Sequence, residues 1–133
     1  MTDSPAPTPA DERRVVEAAP HALLIGGRWR PAASGATISV EDPSTGDALT
    51  EVADASAEDA TAALDAACAA QGDWAATAPR ERGEILRRSY ELIMSRLDDL
   101  ALLMTLEMGK PLSESRAEIT YAAEFFRWFA EEA

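Results

Sequence analysis

The chain has 133 residues and a formal net charge of −12, which allows one domain and argues against a nucleic-acid partner, since phosphate neutralisation requires clustered Lys and Arg. Almost half the residues are apolar, but alanine supplies much of that total, so the core is thinner than the figure implies. No run approaches the roughly 18 apolar residues of a membrane span, and the N-terminus lacks the basic-then-apolar order of a signal peptide, so the expected compartment is the cytoplasm.

Residues 1–22 carry Pro5, Pro7, Pro9 and Pro20 among Ala, Ser, Thr and charged side chains, a composition that predicts a disordered tail. Leu23-Leu24-Ile25 and Arg28-Trp29-Arg30 flank Gly26-Gly27, a pair able to supply the positive φ angles of a tight hairpin. Ala36–Val40 and Ala48–Val52 lie on either side of Asp42-Pro43-Ser44-Thr45-Gly46, which predicts a second antiparallel pair joined by a turn.

From about residue 56 the pattern is helical. Ser56 with Asp59 resembles a capping box, opening a helix to about Gln71 with Ala60, Ala63, Leu64, Ala67 and Cys68 on the face expected to pack. Gly72-Asp73 predicts its end, and Pro79 suits the first turn of the next helix. The apolar positions from Ile85 to Leu106 are expected to divide at a bend near Ser95–Asp98, because Asp98-Asp99 favours a fresh N-terminus. Gly109-Lys110-Pro111 is a helix stop, and Leu112, Ile119, Ala122, Ala123, Phe126, Phe129 and Ala130 have the spacing of a last amphipathic helix. That helix runs to Glu131-Glu132-Ala133, with carboxylates at its negative pole and no cap, so the chain reads as interrupted, although a frayed natural C-terminus has the same pattern. Taken alone it is α+β, mostly helical with a small antiparallel sheet: strands over about 23–52, four helices over about 56–133.

Cys68 and His21 are the only residues of their kinds, which rules out an internal disulfide and a Cys/His zinc cluster built from this chain. Cys68 sits mid-helix in Ala66-Ala67-Cys68-Ala69-Ala70 with no histidine nearby in sequence, and reads as a small packing residue rather than a nucleophile. No glycine-rich dinucleotide fingerprint, phosphate loop or nucleophile elbow is present.

Five pieces in order resemble the N-terminal region of the NAD(P)-dependent aldehyde dehydrogenase superfamily: Ile25–Trp29, Asp42–Gly46, Val52–Ser56, Ala78–Arg82 and Thr105–Pro111. The last helix, Tyr121–Ala133, looks most like the succinate-semialdehyde dehydrogenase branch. The resemblance implies that residues 23–133 are part of the N-terminal domain of an oxidoreductase about four times longer, within its α/β cofactor-binding domain. Such an enzyme oxidises an aldehyde, here succinate semialdehyde to succinate, through a cysteine thiolate, hydride transfer to NAD or NADP and a glutamate-activated water.

Family members are typically homo-oligomers acting on small aldehydes, with no nucleic-acid or membrane partner. The family's nucleophile, general base, oxyanion asparagine and cofactor motif lie downstream of the matched region. No catalytic or cofactor-binding residue is therefore assigned, and the chain alone is expected to be inactive and to bind no cofactor. The resemblance also implies a monovalent-cation site using the backbone carbonyl of Glu41 and the acid Glu107, although Glu107 reads more simply as an ordinary exposed helix carboxylate. It further implies a substrate-tunnel face of Phe125, Phe126, Trp128 and Phe129, whose spacing core packing also explains. The competing reading is a non-enzymatic, acidic helical interaction module.

Overall fold

The structure is a computed structural model that describes residues 6–133. In chain order it holds α1 (Pro9–Ala18), β1 (Leu23–Ile25), β2 (Arg28–Arg30), β3 (Thr37–Glu41), β4 (Ala48–Ala53), α2 (Ala57–Ala76), α3 (Pro79–Ser95), α4 (Leu97–Met108) and α5 (Leu112–Glu132). No helix among the described residues is long and apolar enough to cross a membrane.

The first helix corrects the expectation of a disordered tail over residues 1–22, of which 1–5 lie outside the described residues. Thr8 caps α1 in a reciprocal box: Asp11 N–H donates to Thr8 Oγ1 at 3.3 Å and Thr8 N–H donates to Asp11 Oδ2 at 3.0 Å. Pro9 stands at the start of the helix, where a missing N–H costs nothing. Tertiary contact then holds the helix in place. Val15 is buried with Leu102 and Leu106 of α4, and Arg14 grips Asp99 with two parallel bonds of 2.9 and 2.8 Å. Proline content signals disorder only when nothing docks the segment.

Two separate two-stranded antiparallel sheets follow. Gly26 and Gly27, at φ 59° and 75°, make the two-residue loop that pairs Ile25 with Arg28. β3 and β4 pair from Thr37 with Ala53 to Glu41 with Ala48, with a register irregularity between Val40 and Glu41. Their turn is fixed by Asp42, whose Oδ1 accepts from Ser44 N–H at 2.8 Å.

Helix α2 opens on the Ser56–Asp59 box but does not stop at Gly72-Asp73, as the sequence predicts; it continues to Ala76. One interior glycine costs only about 1 kcal/mol relative to alanine, too little to end a helix by itself. The helix ends at Thr77, which is extended at φ −62°, ψ 135°, and Ala78, the residue before Pro79, is barred from helical backbone in turn.

The face of α2 also differs from expectation. Asp59 is buried and Ala62 and Ala66 are half-buried, with the Ala66 Cβ 4.0 Å from where a Cβ on Gly26 would stand, whereas Ala60, Ala63, Leu64, Ala67 and Cys68 are exposed. Cys68 is thus a surface thiol in this structure rather than a packing residue.

α3 and α4 are separated by the single residue Arg96 at φ −113°, ψ 16°, inside the stretch where a bend is expected. Gly109 ends α4 in the left-handed conformation at φ 72°. α5 then lies against both α3 and α4, while α1 packs on α4. The core centres on Val15, Leu102 and Leu106, extended by Val16, Leu49, Leu103 and Leu112. The result is a mostly helical α+β chain with two small antiparallel sheets.

Candidate functional site

The fully buried positions of α5 are small groups, flanked by the half-buried Leu112 and Ile119. Ser115 is fully buried and its hydroxyl lies 2.8 Å from that of Thr105 on α4, while Ala123 has no exposed surface. Near the C-terminal end, α3 comes so close that a Cβ on Gly83 would lie 2.7 Å from the carbonyl oxygen of Ala130.

With that face against its neighbours, the large side chains of α5 point outward. Tyr121 is 66% exposed, Phe125 48%, Phe126 38%, Trp128 64% and Phe129 55%. Tyr121, Phe125, Trp128 and Phe129, with Glu124 at the margin, line a shallow apolar groove of about 390 Å³. Tyr121 and Phe125 meet edge to face, ring centres 5.1 Å apart and planes at 83°. Glu124 accepts from Arg127 Nε at 2.7 Å, a pairing that pushes the Arg127 pKa up.

Three of the four aromatic candidates therefore share one groove, and Phe126 stands outside its lining. Tyr121 and Glu124 belong to the groove and are absent from the sequence-based set. The signal that locates Tyr121 is its four-residue spacing from Phe125, which stacks side chains on one helix face.

The two cation candidates come from adjoining segments. Glu41 ends β3, and Glu107 is exposed in the last turn of α4. The turn that follows Glu41 meets the cap that follows Glu107: Pro43 Cγ lies 3.0 Å from where a Cβ on Gly109 would stand. Among the described residues no group of three or more His, Cys, Asp or Glu side chains is placed to hold a metal. One carbonyl and one carboxylate leave a hard cation short of oxygens, so further ligands are needed there.

Asp59 forms a polar hub that the sequence identifies only as a cap. The residue is 1% exposed, and Arg30 Nη2 donates to its Oδ1 at 2.9 Å. Ala33 N–H donates to the carboxylate at 3.1 and 3.2 Å, while Ser56 N–H and hydroxyl donate to Oδ2 at 3.0 and 2.9 Å. The amides of Ser56 and Ala33, then the Ser56 hydroxyl and Arg30, hold the Asp59 pKa below the ordinary carboxylate range against the opposing effect of burial. This constellation ties β2, the loop after it and α2 together.

Cys68 faces outward from α2, and the ring of His21 is placed 3.1 Å from the Val16 carbonyl and 3.3 Å from the Thr50 hydroxyl. A pyrophosphate favours an open helix N-terminus, yet the first turns of all five described helices carry acids: Asp11-Glu12, Glu58-Asp59, Glu81, Asp98-Asp99 and Glu114.

The sequence profile described as the aldehyde dehydrogenase family matches residues 29–133. A succinate-semialdehyde dehydrogenase of Paenarthrobacter nicotinovorans is 64% identical over 84 residues, covering 63% of this chain and 19% of that protein. The NADP(+) succinate-semialdehyde dehydrogenase of Escherichia coli K12 is 50% identical over 109 residues, 82% of this chain and 23% of that protein. Among solved structures, the betaine aldehyde dehydrogenase of Staphylococcus aureus in complex with NAD+ superposes with a TM-score of 0.87 at 27% identity, over 92% of this chain and 25% of that one. The chain thus spans about a fifth to a quarter of the length of these proteins. The matched residues take in most of β2 and every element from β3 to α5, and on that match the chain belongs to the aldehyde dehydrogenase family.

Proposed function

We propose that this chain is the N-terminal part of an NAD(P)-dependent succinate-semialdehyde dehydrogenase, a cytoplasmic homo-oligomer that oxidises succinate semialdehyde to succinate. The observation that carries the reading is the 64% identity to a protein of that name, joined by a second such protein at 50%. The nicotinamide coenzyme is the electron acceptor of the whole enzyme; the E. coli relative is named for NADP(+) and the S. aureus structure holds NAD+.

In that enzyme Tyr121, Phe125, Trp128 and Phe129 form an apolar wall of the aldehyde entrance, with Phe126 beside it. Such a wall excludes water from the approach and orients the substrate's short carbon chain. The Glu41 carbonyl and Glu107 carboxylate hold a monovalent cation, supported by the meeting of Pro43 with the Gly109 cap.

The test compares this chain with the product of the whole reading frame, each given succinate semialdehyde with NAD+ or NADP+ and followed by nicotinamide reduction. Activity is expected only where the downstream sequence is present. Turnover by the short chain would overturn the account of its missing groups, and a whole enzyme preferring a different aldehyde would overturn the substrate. The outward aromatic face of α5 also suits a non-enzymatic interaction module. A reading frame that closes without nucleophile and coenzyme motifs would favour that alternative.

A further inference from the structure

We draw no further inference here: the strongest candidate, the unpartnered aromatic face of α5 around Tyr121, Phe125 and Trp128, carries nothing beyond the proposed entrance wall because nothing in the structure shows what covers it.

Discussion

Two glycines in helix interiors should respond in opposite ways to the same added methyl group. At Gly72 in α2 a Cβ would meet nothing within 4 Å, so Gly72→Ala should stabilise the chain by about 1 kcal/mol through helix propensity alone. At Gly83 in α3 the same gain is opposed by a Cβ 2.7 Å from the Ala130 carbonyl oxygen and 3.7 Å from the Ala133 Cβ. Ordinary contact begins near 3.4 Å, so α3 and α5 must part by 3.4 − 2.7, about 0.7 Å. A gap of that size forfeits roughly a quarter to a half of each affected dispersion contact, and forced overpacking of this kind costs about 1–3 kcal/mol. Gly83→Ala should therefore be neutral to about 2 kcal/mol less stable than wild type, and about 1–3 kcal/mol below Gly72→Ala. Urea unfolding followed by far-UV circular dichroism reads this as a midpoint difference on the order of 1 M. If Gly83→Ala matched or exceeded Gly72→Ala, the α3–α5 approach described here would be wrong.

Three further outcomes follow from named contacts. Val15→Ala should destabilise by roughly 2 kcal/mol, from two lost methyl groups and an imperfectly closed cavity beside Leu102 and Leu106; an unchanged urea midpoint would mean that α1 does not dock. Asp59, Asp99 and Asp11 all have folded-state pKa values lowered from an ordinary 3.8, so the stability they contribute is present above 3.8 and lost as pH falls through the depressed values. Asp59→Asn should weaken the chain at neutral pH and flatten its acid unfolding profile, and a profile as steep as wild type would count against the hub. In the whole enzyme, Trp128→Ala should lower kcat/KM about tenfold, equivalent to about 1.4 kcal/mol, while in this chain by itself the same change should shift unfolding by less than about 0.5 kcal/mol because the side chain is exposed there. A stability loss with unchanged kcat/KM would assign Trp128 to packing.

What was legible in the sequence was what local chemistry decides. Gly26-Gly27 demanded positive φ, Ser56 with Asp59 satisfied free amides, and Gly109 gave an αL cap; each is readable within a window of four residues. What failed depended on distant partners. Helix α1 is fixed by Asp99 and Leu102, some 85 residues away, which no tail composition reveals. In α2 alanine occupies nearly every face, so periodicity carries no direction, and the packing side is chosen by Asp59 reaching Arg30 and Ala33. Asp59 looked like a substitute for glutamate in a capping box; its burial follows from the loop that closes over it.

Helix α5 exposes a more general limit of periodic reading. Spacing groups the aromatic residues on a common side but does not say whether that side is the one that packs. The assumption that the largest apolar residues face the core fails because helices approach most closely through small side chains, and Ser115, Ala123 and the Gly83–Ala130 contact supply that surface. Once the small side is inside, geometry leaves Tyr121, Phe125, Trp128 and Phe129 outside, where about half or more of each side chain stays exposed. Phe126, the least exposed of the five and outside the groove, separates the two meanings of that face. A wall that meets substrate should depend on Trp128 and Phe129 more than on Phe126, whereas a surface that only packs should depend on buried area, whichever ring supplies it.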